Sequence, residues 1–322
     1  MSFSLPLDFI LSFRGDKIPD HGEDSYCYCF CDSAGLLGAF DGCGGAGART
    51  HEAYSGHTEA YMASRLCAGA LYDAFRKLFP CEEPTEQLLV NVFLPEALNR
   101  LRAYAPAQDT TLQIRGSIVR TLPTTAAVAI LRQMDPDAVT VSAVWAGDSR
   151  IYVLDAHGLS QLTVDDTSVP DPMENLYEDG ILKNIFCSDK AVRLRCNTVQ
   201  LQPPFLVFAA TDGCFGYVST PMEFEGLLLH TLLQAPGPAQ WEESLAEYIG
   251  KTAGDDHTLC MASLGYGSFE ALQKDLSPRF EHLKQNYLLP LRDLPLDDRQ
   301  SRYDLWAQYK HIYNRYLKDR EM

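Results

Sequence analysis

At 322 residues the chain is long enough for one large domain or two ordinary ones. Its apolar fraction of 46% and charged fraction of 22% sit near the averages of soluble globular proteins and speak against a disordered, fibrous or membrane-embedded chain. A formal net charge of −16 argues against a nucleic-acid backbone or an anionic membrane as the main partner, because either would repel such a surface.

The first residues, MSFSLPLDFILSFRGD, have no basic leader, are interrupted by Asp8 and precede no small-residue cleavage pattern, so they do not read as a secretory signal. No apolar run reaches the ~18 residues that a bilayer span needs. Ten cysteines scattered without an export signal suit reduced thiols, and the expected location is the cytoplasm. Residues 25–30 and 35–40, rich in Tyr, Cys, Phe and Leu, flank Asp32, Ser33 and Ala34 and predict a β-hairpin that delivers Asp41 at a strand end. Cys27, Cys29 and Cys31 alternate on one face of that strand. They read as small apolar residues of a buried face, in preference to a zinc site, which would need a fourth ligand and turn-like spacing.

After the glycine-rich turn GCGGAG, Tyr61, Leu66, Ala70 and Phe75 predict a long helix over about 51–79, weakened by Gly56 and Gly69. A second helix is expected over about 85–104, from the spacing of Leu88, Val92, Leu98 and Leu101, followed by a polar loop at 106–111. Strands follow at 125–131, 139–145 and 151–154, with a short one near 159–162, and their short links favour antiparallel pairing. The polar stretch 163–189, with Pro170 and Pro172, predicts a loop holding one helical turn, and loops of this length are usually functional or disordered. The apolar run 205–210 predicts a buried strand ending at Thr211 and Asp212. Helices near 221–234 and 239–252 then lead to Asp255 and a last strand, 258–264.

This order gives an α+β chain in which two packed sheets with helices outside bury both apolar faces. Past Gly265 the composition shifts, so the main domain is expected over 1–267 and a helical C-terminal extension over 268–322. In the extension Leu305, Tyr309, Ile312, Tyr313 and Tyr316 form one helical stripe, with Pro290 and Pro295 as breaks. The stripe suits packing on the main domain; the sharper reading is docking of a partner.

Three aspartates stand beside predicted strand ends: Asp41 in AFDGCGG, Asp212 in FAATDGCFGY and Asp255 in AGDDHT. Strand ends at one edge bring distant residues together, and a glycine just after an aspartate admits backbone oxygen or phosphate closely. Oxygen ligands with open positions select Mg²⁺ or Mn²⁺ over zinc. Each Asp-Gly pair alone is also a common turn dipeptide, so their joint order carries the weight.

That order resembles the PPM-type metal-dependent serine/threonine protein phosphatases, in bacterial-like form, through HGEDSY (21–26), AFDGCGG (39–45), PTTAAVAIL (123–131), WAGDSRIYVLD (145–155), LTVDDT (162–167), AATDGCFGY (209–217) and GDDHTLCMASL (254–264). The resemblance covers about residues 8–265 and implies an αββα sandwich of two antiparallel sheets flanked by helices. It implies two divalent cations, Mn²⁺ or Mg²⁺, with Asp41 between them and the Gly42 carbonyl on one. Asp212 and Asp255 would complete the first cation's ligands, Glu23 would serve the second, and Asp24 would orient a metal-bound water. Asp148 matches a residue that holds a third, weaker cation in several bacterial members. The activity implied is hydrolysis of phosphoserine and phosphothreonine in proteins by hydroxide bridging the two ions, countering a serine/threonine kinase. Thr124, Thr125 and Ser149 are expected to tie strand ends together.

Two positions depart from the family pattern. Pro19 stands four residues before Glu23, where many members have a phosphate-binding arginine; Lys17 or Arg14 is expected to supply that charge, Lys as a point charge where Arg grips two oxygens. Cys43 stands where some members have a histidine, and a thiol is a poor proton donor to an alkoxide. The lost arginine leaves open a catalytically weak or inactive chain that binds partners through the acidic cleft and C-terminal helices. A small phosphorylated metabolite as substrate also remains open.

Overall fold

The computed structural model describes residues 3–78, 89–106, 120–178, 180–295 and 298–317. Its centre is a pair of antiparallel sheets. The hairpin β2 (Ser25–Cys31) and β3 (Ala34–Phe40) joins β4 (Ala126–Asp135), β5 (Ala138–Ala146) and β8 (Arg195–Leu201) in the order β2-β3-β4-β5-β8. The second sheet has β1 (Leu7–Gly15), β10 (His257–Leu264), β9 (Phe205–Ala210), β6 (Arg150–Asp155) and β7 (Gly158–Gln161), in the order β1-β10-β9-β6-β7.

Alternation along the strands sorts their side chains into three layers. Leu37, Ala39, Ala127 and Ala143 of the first sheet meet Val153, Val207, Ala209 and Ala262 of the second in the central core. On the outer face of the first sheet, Leu36, Phe40 and Val128 pack with α1 (Glu59–Leu78) and α2 (Leu94–Tyr104). The outer face of the second sheet, with Leu11, Tyr152 and Phe208, is covered by α4 (Pro221–Gln234) and α5 (Pro238–Thr252) after the short α3 (Asp212–Phe215). The C-terminal helices α6 (Phe269–Leu283), α7 (Leu289–Asp293) and α8 (Arg299–Tyr313) pack on that same side. The expected αββα sandwich with C-terminal helices is the observed fold.

The sequence pattern places most of these elements within a residue or two, and it misses β1 and β8. The first long helix starts at Glu59, not near His51, because Ser55 and Gly56 take left-handed backbone angles (φ 55° and 85°) and leave only a 3-10 turn, Glu52–Tyr54, before it. The second begins as a π-helical turn, Leu89–Phe93; the expected stretches 85–88 and 107–111, like Phe79, lie outside the described residues. Between 163 and 178 one 3-10 turn, Glu174–Leu176, interrupts irregular chain. Pro290 does not break the tail: it sits in the first turn of α7, where its missing N–H is tolerated. Tyr309 and Tyr313 are buried beside Tyr152, with Leu305 partly buried against the same cluster. Cys27, Cys29 and Cys31 pack against the layer of α1 and α2, and none of the nine described cysteines forms a disulfide.

Candidate active site

Strand register puts the predicted residues at one end of the sandwich. Ser25 pairs with Phe40, Ala39 with Ala127 and Ala126 with Ala146, so the start of β2, the end of β3 and the β5–β6 turn lie together. In the other sheet Ala210 pairs with both Arg150 and Leu259, which adds the end of β9 and the start of β10. Glu23, Asp24, Asp41, Asp148, Asp212 and Asp255 all occupy these ends.

Hydroxyl residues hold the ends in place. The Thr125 amide donates to the Asp41 carbonyl (2.8 Å), the Asp41 amide donates to Thr125 Oγ1 (3.1 Å), and Thr124 Oγ1 donates to that carbonyl (2.7 Å). Thr125 Oγ1 also bonds Ser149 Oγ at 2.6 Å, which ties Asp41 to the turn carrying Asp148. Thr211 Oγ1 accepts from the Thr258 amide (2.8 Å) and donates to Asp24 Oδ2 (2.7 Å), linking β9, β10 and the approach to β2.

Glu23 is clamped from two sides. On α1, Thr58 Oγ1 donates to Glu23 Oε1 and Ser64 Oγ donates to the Glu23 carbonyl (2.5 Å). From the β10 side, Asp256 accepts from the Glu23 amide (2.6 Å) and the Lys17 amide (2.7 Å). Those bonds occupy both oxygens of Asp256, whereas Asp255 is exposed and its carboxylate accepts only the Asp256 amide (2.9 Å) among the described hydrogen bonds.

Burial and mutual repulsion shape the charge of this group. Burial first, then the charges of Asp212, Asp24 and Asp148, holds the Asp41 carboxyl well above the usual range. Asp148 is raised by burial and then by Asp212 and Asp165. Burial lifts Asp24 to about 8 against the opposing Thr211 hydrogen bond, and lifts Asp212, with help from Asp255, to about 6. Glu23 is also raised, chiefly by burial. The Cys43 thiol is pushed up by burial and by Asp41, so it is protonated at neutral pH.

The donor set suits a hard divalent cation. All the candidate ligand atoms are oxygens, none of the six carboxylates makes an ion pair among the described residues, and buried Asp148 Oδ1 has no hydrogen-bond partner. A methyl group on Gly44 would overlap Glu23 Oε2, so the glycine turn leaves room for that carboxylate alone. As it stands, no group of three His, Cys, Asp or Glu side chains among the described residues is set to hold a metal ion.

A cavity of about 480 Å³ opens beside them, lined by Lys17, Ile18, His57, Thr58 and Tyr61 together with Glu23, Asp255 and Asp256. Of the two expected phosphate-binding cations, Lys17 lines this cavity. Arg14 instead pairs with Asp16 at 3.2 Å. Sequence reasoning missed Thr58, Ser64 and Arg65, whose guanidinium donates to the Gly22 carbonyl (3.0 Å) and lies over the Tyr61 ring. A threonine just before a helix signals an N-cap, and the Tyr61 amide does donate to Thr58 Oγ1 (3.1 Å); its hold on Glu23 depends on tertiary structure.

No protein-family model and no curated protein sequence matches the chain. Solved structures do. The PPM Ser-Thr phosphatase MsPP from Mycobacterium smegmatis, in complex with cacodylate, is 13% identical, with 80% of this chain and 99% of that one covered at a TM-score of 0.56. The serine/threonine phosphatase Stp1 from Staphylococcus aureus is 18% identical over 82% of this chain and 98% of its own, at a TM-score of 0.57. The catalytic domain of the phosphatase PstP in complex with two manganese ions is 18% identical over 80% and 97%, at a TM-score of 0.50. The chain has the fold of the PPM serine/threonine phosphatases. No helix among the described residues is long and apolar enough to cross a membrane.

Proposed function

We propose that this chain hydrolyses phosphoserine and phosphothreonine in proteins with two divalent cations, Mn²⁺ or Mg²⁺, opposing a serine/threonine kinase. What carries the reading is the gathering of Glu23, Asp24, Asp41, Asp148, Asp212 and Asp255 at one end of a PPM-type sandwich, where protonation or bound cations must offset their crowding.

Asp41 would serve both cations and the Gly42 carbonyl one of them, with Asp212 and Asp255 on the first and Glu23 on the second. Asp148, with its free oxygen, would take a third. Bound there, the cations supply Lewis acidity and the means to activate water at neutral pH. Buried Asp24, fixed by Thr211, would orient the attacking water, and the Lys17 ammonium would meet the phosphate as a point charge. Cys43, protonated and buried, is suited to packing more than to proton transfer.

A second reading keeps the fold and drops the turnover, and it draws on the missing arginine at Pro19 and on the lack of a ready-made ligand group among the described residues. One experiment separates the two: turnover of p-nitrophenyl phosphate and a phosphothreonine peptide with Mn²⁺, with Mg²⁺ and with chelator, beside calorimetric titration of Mn²⁺. Metal-dependent turnover of both substrates is the expected outcome. Mn²⁺ binding without turnover would establish the binding-module reading, and an absence of both would remove the metal assignment.

A further inference from the structure

Helix α8 presents Arg299, Tyr303, Lys310 and Tyr313 on one face, since these positions fall within about 80° of one another at 100° per residue. Each meets the irregular segment 163–178 or its anchor. Tyr313 Oη lies 3.0 Å from Tyr152 Oη and accepts from Arg150 Nη1 at 3.3 Å, while Arg150 Nη2 donates to Asp165 Oδ2 at 2.6 Å. Lys310 Nζ reaches Asp171 Oδ2 at 2.5 Å. At the start of the helix, Tyr303 packs on Tyr177 with ring centroids 6.2 Å apart, and the Arg299 guanidinium lies 4.9 Å from the Tyr177 ring centroid.

The segment has little secondary structure of its own, only the turn Glu174–Leu176, so its order must come from outside contacts. At its near end the Asp166 amide donates to the Gly147 carbonyl (2.9 Å), one residue before Asp148. A helix serving only as core would need Trp306, Tyr309 and Tyr313, with Tyr303 packed at the margin of that cluster; the Lys310–Asp171 ion pair adds nothing to the core and joins the helix to the segment.

We infer that α8 braces segment 163–178 beside the Asp148 corner of the site, and that this brace governs how a phosphorylated protein is received there. The substrate half of the inference rests on the phosphatase reading. Residues flanking a phosphothreonine extend past the reacting group to the segment bordering Asp148. A small phosphoester does not reach it. The brace therefore acts on protein substrates selectively, with Lys310 and Tyr303 as positioning residues.

The test uses the full chain carrying Lys310→Glu, a change at a partly exposed pair that leaves the core untouched. Amide hydrogen exchange within 163–178 is expected to quicken about fivefold while the sheets stay protected, and Asp171→Lys in the same chain is expected to restore it. With Mn²⁺, KM for a phosphothreonine peptide is expected to rise about threefold or more, with KM for p-nitrophenyl phosphate unchanged. Unchanged exchange in both Lys310→Glu and Tyr303→Ala would overturn the brace. Faster exchange with equal effects on both substrates would overturn its selectivity. A wild-type chain that turns over neither substrate would sink the phosphatase reading, and the exchange data alone would then decide the brace.

Discussion

Asp24 is 1% exposed, with Thr211 Oγ1 donating to it and Asp212 repelling it. Burial holds Asp24 near 8 and Asp212 near 6, against a usual value of 3.8, so the folded, metal-free chain keeps protons that the unfolded chain releases. The resulting stabilisation is fully present below about pH 4 and is lost as pH rises through about 6 and then 8. In chelator, the melting temperature is therefore expected to fall between pH 5 and pH 8. Added Mn²⁺, which favours the ionised carboxylates, should stabilise more at the higher pH. Asp24→Asn keeps an acceptor for Thr211 and removes the charge, so it is expected to stabilise the metal-free protein by roughly 1–2 kcal/mol at pH 8 and little at pH 5. Calorimetric scans at the two pH values decide this; an equal effect at both would mean that Asp24 is already neutral or already solvated.

Among the elements, two glycines separate support of the fold from support of the site. A Cβ on Gly213 would collide with the Asp256 backbone carbonyl just before β10, and backbone cannot swing aside, so Gly213→Ala is expected to cost about 2 kcal/mol or more. A Cβ on Gly44 would meet only the far end of Glu23, which can rotate away from Thr58. Gly44→Ala is thus expected to leave urea unfolding nearly unchanged and to weaken Mn²⁺ binding measured by titration; the reverse pattern would place Glu23 outside the metal site. The aspartates were legible in sequence because each follows or precedes an apolar strand, and strand ends are readable from composition. The hydroxyls of Thr124, Thr125 and Ser149 that hold Asp41 were legible as well; the supports of Glu23 were not, because Thr58, Ser64 and Asp256 reach it across 35, 41 and 233 residues of chain. Strand β1 has Asp8, Ser12 and Arg14 within its run and buries only Leu11 and Phe13, so its inward alternation is short. Strand β8, an edge strand of sequence RCNTVQL, buries only Leu201 fully and so lacks the apolar run that marks a central strand. The late start of α1 was hidden by backbone conformation at Ser55, a residue type that seldom adopts positive φ.

At the scale of the whole molecule, the layer outside the second sheet is built from both sides of residue 267. Glu225 of α4, fully buried, is paired by Arg279 of α6 through Nε to Oε1 (2.6 Å) and Nη2 to Oε2 (2.8 Å), and Tyr309 of α8 donates to the same carboxylate. Arg279→Met keeps the apolar volume and removes the cation, leaving a buried carboxylate with only a hydroxyl; the expected cost is about 3–5 kcal/mol in urea unfolding. Arg279→Met with Glu225→Leu should recover most of that loss, because an apolar pair needs no desolvation. Ending the chain at residue 267 removes Leu272, Leu276, Leu283, Trp306, Tyr309 and Tyr313, all buried in the cluster that holds Tyr152, Phe208 and Phe224. That uncovers a contiguous apolar face and strips Arg150 of its Tyr313 contact. The shortened chain is therefore expected to aggregate, or to melt well below the full chain, when followed by light scattering and circular dichroism. A soluble, cooperatively folding 1–267 fragment would instead make the C-terminal helices a separable extension, and would leave Arg150 and Asp165 held by their mutual pair together with Tyr152, Gln161 and Asn175.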